Sequence, residues 1–326
     1  MCTAISLSRG NGFFGRTLDL EYHYNESVTI TPPDFLFRSP SGYLVQGPYA
    51  MIGMATVIDG YPLYYDAMNS HGLCMAALHF PGNGVYLEPC EGKENLPPYA
   101  LIPRILSSCA TLAEAKAVLS NLCLINRPFS QRYPLTPLHW MISQNGQSIV
   151  VEPMADGVRV CENPVSVMTN NPAFDAQFAG LLRYNGLSPQ EPATMMIEPS
   201  LLPPPFRGLG AVGLPGDYSS PSRFVRAVFL RQNTPTLSGD DGVISFFRMM
   251  EGVSIPKGGL LSHDGKWVHT IYTSCCDPQT RTYYYTAYTN PTIIGIKLSL
   301  IGHEQEMISI PLRWKDEIIM DSTTGV

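Results

Sequence analysis

The chain has 326 residues, of which 44% are hydrophobic and only 15% are charged, below the ~25% usual for soluble proteins. Its 21 lysines and arginines against 27 aspartates and glutamates give a net charge of −6. No apolar run reaches the ~20 residues of a transmembrane helix. This composition permits a large hydrophobic core and is compatible with an enzyme. Nucleic-acid binding requires clustered basic residues, so a nucleic-acid-binding protein is disfavoured, and so is a membrane-inserting protein.

Short segments rich in Ile, Val, Thr and Tyr dominate the chain, and Gly, Asn and Pro separate them, as is typical of β-strands. The predicted strands are Ala4–Ser8, Phe13–Asp19, Val28–Thr31, Met51–Ile58, Leu73–His79, Leu138–Ser143, Ser148–Glu152, Val165–Asn170, Val268–Ser274, Thr282–Thr289 and Thr292–Ser299. Asn11-Gly12 predicts a hairpin turn between the first two strands.

Helices interrupt the strand pattern. Thr111 and Glu114 form a capping-box signature before an apolar stripe that begins at Leu112. Further helices are predicted over Ala173–Leu182, Ser222–Leu230 and Asp241–Met250, and over Tyr99–Ser108, which Pro103 shortens or kinks. Strand blocks with helices between them indicate an α+β fold in layers, and we expect a single domain over residues 1–326.

The eight cysteines show no metal-binding spacing, and the first residues lack the basic and long apolar stretches of a secretory signal. Most of the cysteines are therefore expected to pack as small hydrophobes, and the chain is expected to work in the cytoplasm without a metal.

Cys2 directly follows Met1, and removal of Met1 is expected beside so small a residue. Cys2 would then carry a free α-amino group, which ionises near neutral pH and can accept the thiol proton. Nucleophile and base would thus reside on one residue. By position alone, however, a cysteine at this place is more often incidental.

An antiparallel pairing of the first two strands would bring Arg16 and Asp19 back toward Cys2. A guanidinium beside the sulfur favours the thiolate, and a carboxylate beside the terminal amine would orient that amine. The alternative is an ordinary surface ion pair of little energetic value.

Several motifs follow one another in a fixed order over nearly the whole chain. They are Met1-Cys2-Thr3, Phe14-Gly15-Arg16 with Asp19, Tyr61–Asn69, Leu78–Gly82, Leu138–Ile142, Ser148–Glu152, Val167–Pro172, Gly213–Asp217 and Ser222–Arg226. In this order they resemble the choloylglycine hydrolase family, which contains the bile salt hydrolases and the penicillin V acylases. Each fragment is weak alone, but the ordered set is specific.

The resemblance implies a four-layer αββα sandwich of the N-terminal nucleophile hydrolase type, with no metal or organic cofactor. Carried over to matching positions, it makes Cys2 the nucleophile, with Arg16 and Asp19 shaping its ionisation and holding its amine. It makes Asn170 a side-chain donor to the oxyanion and Arg223 a second active-site arginine.

Position 79 departs from the family pattern, in which bile salt hydrolases usually carry Asn and penicillin V acylases often carry Tyr. This chain carries His79. The resemblance implies that the backbone N–H at this position is the second oxyanion donor, which any residue except proline can supply. His79 is therefore a candidate for oxyanion binding and for the substrate wall, although a lone strand histidine is more often simply packed.

Apolar side chains near the predicted site suit a bulky acyl group, and the resemblance implies that the matching loops line the mouth of the site. The candidates for contact with substrate are Leu20, Tyr22, Tyr24, Ile125 and Phe129. Ordinary core packing is the alternative for each of them.

Together these features predict an amidase that hydrolyses glycine- or taurine-conjugated bile acids in a bacterial cytoplasm. Penicillin V or another N-acyl amide is the alternative substrate, and a non-catalytic binding protein on the same fold is the remote alternative. The resemblance also implies a homo-oligomer, most simply a tetramer, with no nucleic-acid partner and no membrane insertion.

Overall fold

The computed structural model describes residues 1–7, 10–197, 200–204, 206–236, 238–300 and 306–315. Its strands are β1 Cys2–Ser6, β2 Phe14–Leu20, β3 Ser27–Thr31, β4 Phe37–Arg38, β5 Leu44–Val45, β6 Met51–Ile58, β7 Tyr61–Asn69, β8 Cys74–His79, β9 Glu94–Leu96, β10 Leu122–Leu124, β11 Leu138–Gln144, β12 Gln147–Met154, β13 Gly157–Glu162, β14 Val167–Met168, β15 Met195–Ile197, β16 Ser200–Leu202, β17 Leu260–Leu261, β18 Trp267–Asp277, β19 Thr282–Ala287, β20 Asn290–Lys297 and β21 Ile308–Pro311. The α-helices are α1 Leu101–Ser108, α2 Leu112–Ser120, α3 Phe174–Gly180, α4 Ser220–Asn233 and α5 Gly239–Glu251.

Most strands belong to two antiparallel sheets. Sheet I has the order β14-β1-β2-β18-β19-β20, with β17 beside β18, and sheet II has the order β13-β12-β11-β8-β7-β6-β3-β21. Successive residues of a strand point to opposite faces, and the buried residues of sheet II divide accordingly. Ala76 and Leu78 pack with residues of sheet I, whereas Met75 and Ala77 pack in a second core on the other face.

Helices cover the two outer faces. Helices α4 and α5 contribute Phe224 and Phe246 to the core against sheet I, and α1 contributes Leu101 and Ile105 to the core against sheet II. The order of layers is therefore helix, sheet, sheet, helix, which confirms the predicted αββα sandwich. No helix among the described residues is long and apolar enough to cross a membrane.

The predicted helices are all confirmed, with small shifts at their ends. Helix α2 begins where the capping signature indicates, because Thr111 Oγ1 accepts a hydrogen bond from the Glu114 N–H at 3.2 Å. Pro103 lies in the first turn of α1, where its missing N–H removes no helical hydrogen bond, and the helix begins only at Leu101.

Several strands differ from their predictions, and the short strands β4, β5, β9, β10, β15, β16 and β17 were not predicted. Strand β7 was not predicted, because it is covered on both faces and mixes tyrosine with Pro62, Asp66 and Asn69 instead of alternating. Strand β21 was also not predicted. The predicted strand Val165–Asn170 contains only the two residues of β14, since Ser166 has a positive φ of 49° that interrupts extended backbone. Ser8 of the first predicted strand and residues 316–326 of the predicted domain lie outside the described residues.

Two cysteines correct the expectation of simple packing. Cys90 and Cys123 form a disulfide with their Cα atoms 6.2 Å apart. They meet because Cys123 lies in β10, which pairs in parallel with β9, and Cys90 lies just before β9. Cys74, Cys109, Cys275 and Cys276 are free and buried, as predicted for most of the cysteines.

The pairing of β2 with β18 depends on a missing side chain at Gly15. A Cβ atom at this position would lie 1.9 Å from the Ser274 backbone oxygen, so any other residue would separate the two strands. The Arg16 N–H donates to Ser274 Oγ at 3.2 Å, directly beside this close approach. Gly15 therefore permits the close approach of β2 to β18 that places Arg16 beside Ser274.

Candidate active site

The β1–β2 hairpin brings Cys2 and Arg16 together. In its register Cys2 is opposite Leu18, and Ala4 is opposite Arg16. Cys2 and Arg16 are therefore diagonal neighbours on the same face of the two paired strands. Arg16 Nη2 donates a hydrogen bond to Cys2 Sγ. A charged donor on the sulfur stabilises its thiolate form, which is the nucleophilic form of cysteine.

The other two nitrogens of the Arg16 side chain donate to backbone carbonyl groups. Arg16 Nη1 donates to Ala77 O at 2.8 Å and to Tyr65 O at 3.3 Å, and Nε donates to Thr17 O at 3.1 Å. The side chain is fully buried between the two sheets. Its planar fork is therefore held rigidly, with one nitrogen directed at the sulfur.

Charges around Arg16 keep it cationic despite its burial. Burial lowers its pKa, but attraction to Cys2, Tyr272, Asp66 and Asp19 outweighs this effect and raises the pKa above its ordinary value. The guanidinium beside the sulfur is therefore cationic at neutral pH.

Asp19 is buried next to the hairpin, and two threonine hydroxyl groups hold its carboxylate. Thr270 Oγ1 donates to Asp19 Oδ1 at 2.7 Å, and Thr17 Oγ1 donates to Asp19 Oδ2 at 3.1 Å. The Asp19 backbone pairs with Met1, whose amino group donates to Asp19 O. Asp19 therefore lies where the chain begins, with its side chain oriented by β2 and β18.

Arg223 is the second fully buried arginine of the site, and it comes from α4. Its Nη1 donates to Cys2 O and to Thr3 Oγ1, both at 2.6 Å, and its Nη2 donates to Asn170 Oδ1 at 2.8 Å. Burial lowers the pKa of Arg223, and attraction to Asp19 and Cys2 opposes that shift. Arg223 thus fixes the backbone of Cys2 relative to Asn170.

The Asn170 side chain links Cys2 to the end of β8. Its Oδ1 accepts a hydrogen bond from the Cys2 N–H at 2.8 Å, and its Nδ2 donates to His79 O at 2.7 Å. An amide nitrogen carries two hydrogens, so one donor of Asn170 is left for a ligand at the site.

The backbone of His79 faces the site. Phe80 N donates to Pro137 O on the side of β11, and successive residues of a strand direct their polar groups to opposite sides. The N–H and C=O of His79 therefore point away from β11, toward Asn170, which contacts the C=O. Desolvation is the main effect that lowers the pKa of the His79 imidazole, and repulsion by the positive amino terminus lowers it further. The ring is therefore neutral at neutral pH.

The predicted substrate-contacting residues separate into two groups. Tyr22 and Tyr24 are 48% and 43% exposed just after β2, with ring centroids 5.1 Å apart, and Leu20 is half-buried beside them. Ile125 and Phe129 are only 5% and 4% exposed, and Phe129 belongs to the packed core on the outer face of sheet II. The first group is thus available to a ligand, whereas the second group is core in this structure, and all five substrate roles stay predictions.

Several residues of the site were not found from the sequence. Tyr272 and Tyr283 of sheet I each donate to the buried carboxylate of Asp66 at 2.6 Å, and Thr270 holds Asp19. Burial raises the pKa of Asp66, while Arg16 and the tyrosine hydrogen bonds oppose the increase. The one sequence signal was an aspartate inside the otherwise aromatic and apolar β7.

Comparison with known proteins agrees with this geometry. A family model described as linear amide C–N hydrolases of the choloylglycine hydrolase family matches residues 2–305. The chain is 42% identical over 320 residues to a bile salt hydrolase/transferase of Lactiplantibacillus plantarum, covering 96% of this chain and 97% of that protein. It is 36% identical over 313 residues to a bile salt hydrolase/transferase of Clostridium perfringens, covering 93% and 95%.

Solved structures give the same result. A mutant conjugated bile acid hydrolase from Clostridium perfringens superposes with a TM-score of 0.92 at 33% identity, covering 98% of this chain and 99% of that one. Penicillin V acylase from Agrobacterium tumefaciens shares the fold, with a TM-score of 0.73 at 20% identity over 95% and 90% of the chains. The resemblance seen in the sequence motifs is thereby confirmed, and this chain belongs to the choloylglycine hydrolase family of linear amide C–N hydrolases.

Proposed function

We propose that this protein hydrolyses the amide bond of glycine- or taurine-conjugated bile acids with Cys2 as its nucleophile. The observation that carries the proposal is the hydrogen bond from the buried Arg16 guanidinium to Cys2 Sγ. Support for the substrate class comes from relatives named as bile salt hydrolases over nearly their whole length.

The proposed nucleophile acts after Met1 has been removed. With Met1 attached, Cys2 is only 3% exposed and its backbone nitrogen is an amide that cannot accept a proton. Loss of Met1 would convert this nitrogen into an amine, beside Asn170 Oδ1 as its acceptor at 2.8 Å. It would also release the Asp19 N–H and C=O, which now pair with Met1, and open the approach to the sulfur.

In the proposed mechanism the Cys2 thiolate attacks the amide carbonyl of the substrate. Asn170 Nδ2 and the His79 N–H donate to the oxyanion of the tetrahedral intermediate, where loss of one such donor typically costs ~10²–10³ in rate. The α-amine gives its proton to the departing amino acid, which leaves an acyl group on the sulfur. Water then attacks this thioester with the amine as base, and the bile acid is released.

The first prediction concerns substrate class. Purified enzyme should release glycine from glycocholate and taurine from taurocholate, measured by amine detection, and should release little product from penicillin V. The Cys2→Ala variant should be inactive on all three substrates, because it lacks the attacking atom. Cleavage of penicillin V with both bile conjugates untouched would favour the alternative acylase function, and an inactive wild-type enzyme would favour a binding protein.

The second prediction concerns the role of Arg16. Arg16→Lys should lower both kcat/KM and the rate of Cys2 alkylation by iodoacetamide by about tenfold or more, because a hydrogen bond to a charged group contributes about 1.5–3 kcal/mol. Alkylation is followed on the N-terminal peptide by mass spectrometry. The matched control is Arg248→Lys, since Arg248 is exposed and, in the part of the chain that the structure describes, forms its ion pair with Glu251 of its own helix. Equal rates in Arg16→Lys and wild type would show that the guanidinium is not needed at the sulfur.

We also propose that the protein forms a homo-oligomer, as a tetramer, through the exposed apolar surface around β15 and β16. The support is that six of the described large apolar side chains between residues 178 and 212 are more than two-fifths exposed, and exposed apolar surface of this kind favours association. The six side chains are Phe178, Leu182, Met195, Leu201, Phe206 and Val212.

The third prediction tests this surface by size-exclusion chromatography with light scattering. Wild type should have the mass of a tetramer, and the double variant Leu201→Glu with Phe206→Glu should have a smaller mass, because buried carboxylates oppose association. Leu261→Glu, at an exposed leucine of β17, is the control and should leave the mass unchanged. A wild-type monomer, or a double variant of unchanged mass, would contradict the proposal.

A further inference from the structure

Asn170 lies on a segment without regular structure. Strand β14 ends at Met168 and helix α3 is capped by Ala173, so residues 169–172 belong neither to a strand nor to a helix. The side chain of Asn170 must nevertheless be placed accurately if it is to donate to an oxyanion. A displacement of about 1 Å in a catalytic group can cost on the order of 10² in rate.

One side chain of α3 holds this segment. Gln177 Nε2 donates to the backbone oxygen of Asn170 and, at 3.0 Å, to that of Pro172. Gln177 Oε1 accepts a hydrogen bond from Thr169 Oγ1 at 2.8 Å. A single amide group therefore contacts Asn170 itself and residues on both sides of it.

The same contacts join the segment to the helix that carries Arg223. Ser220, at the start of α4, donates from Oγ to Thr169 Oγ1 at 2.9 Å, and Gln177 Nε2 lies 3.4 Å from that Oγ. Arg223 is one helical turn further along α4 and donates to Asn170 Oδ1. Thr169, Gln177 and Ser220 thus form one hydrogen-bonded cluster. This cluster contacts the backbone of Asn170, and it includes the start of the helix whose Arg223 binds the Asn170 side chain.

Burial makes the contacts of Gln177 energetically important. The residue is 7% exposed, and a buried amide that loses its hydrogen-bond partners is left without solvation, which destabilises that arrangement. Among the described residues, Gln177 makes no hydrogen bond to Cys2 or Arg16. Its influence on the site is therefore confined to the segment that carries Asn170.

We propose that Gln177 is a positioning residue that fixes Asn170 as an oxyanion donor, a role that rests on the function proposed above. Without the two Nε2 contacts the backbone of Asn170 can shift relative to His79 and Cys2. The transition state then loses stabilisation, whereas substrate binding and the reactivity of the sulfur are retained.

The test compares Gln177→Met, which keeps the length but removes all four hydrogen bonds of the side chain, with Gln177→Glu, which keeps the acceptor and the shape but loses both N–H donors. Four quantities are measured: kcat and KM for glycocholate, the rate of Cys2 alkylation by iodoacetamide, and the melting temperature. Gln190→Met is the matched control, because Gln190 is an exposed glutamine whose side chain hydrogen-bonds to Ser188 and to none of the site residues among those the structure describes. We expect kcat to fall at least tenfold in both Gln177 variants, with KM and the alkylation rate within about threefold of wild type.

Rescue by protonation gives a second readout that a merely structural role would not produce. The Gln177→Glu variant regains one donor when its carboxyl group is protonated, so its kcat relative to wild type should rise as the pH falls. Unchanged kcat in both variants would overturn the proposal. So would an equal loss of kcat and alkylation rate, because that result indicates a general collapse of the site.

The activity of the wild-type enzyme separates a failure of this proposal from a failure of the proposed function. If wild type cleaves penicillin V instead of glycocholate, the substrate assignment fails, and the same comparison of variants is made with penicillin V. An active wild type with fully active Gln177 variants contradicts only the positioning role. A wild type inactive on both substrates contradicts both proposals, since Gln177 then has no oxyanion donor to position.

Discussion

A fully buried guanidinium needs partners on every side, because an unpaired charge inside a protein costs several kcal/mol. Arg16 obtains them from both sheets: its own hairpin supplies Thr17 O and Cys2 Sγ, and sheet II supplies Tyr65 O and Ala77 O. These contacts require the two sheets to pack face to face at this point. The charge that stabilises the nucleophile is thus also a structural link between the layers.

Arg223 complements Arg16 without duplicating it. Arg16 directs its charge at the sulfur, whereas Arg223 grips the backbone oxygen of Cys2 and the side chain of Asn170. One arginine is 14 positions from Cys2 in the chain and the other is 221 positions away. The hairpin can form the first contact locally, but the second exists only when α4 packs on sheet I. Completion of the fold therefore also completes the site.

The local part of this arrangement was predictable from the sequence. The strand character of the segments on either side of Asn11-Gly12 was enough to bring Arg16 toward Cys2. The register was not predictable in detail, because the pairing of Ser6 with Phe14 belongs to a connection longer than the predicted two-residue turn. The αββα layering and the roles of Asn170 and Arg223 came from the family resemblance, because no periodicity relates positions so distant in the chain.

Other contacts had no sequence signal. The hydrogen bonds of Tyr272 and Tyr283 to Asp66 join residues more than 200 positions apart, and a tyrosine in a strand does not indicate its partner. Gln177 is an ordinary helix residue until α3 packs beside the Asn170 segment. Strand β7 was missed for a related reason: two covered faces remove the alternation by which a strand is recognised.

In the proposed reaction Cys2, freed of Met1, carries the acyl group during turnover. Mass spectrometry of the N-terminal peptide tests this directly, after the enzyme has been mixed with glycocholate and quenched in acid within milliseconds. We expect a peptide that begins at Cys2 and carries one cholyl group, removable by hydroxylamine because it is held as a thioester. Release of glycine from a protein that retains Met1, or that carries the cholyl group on another residue, would contradict the proposed reaction.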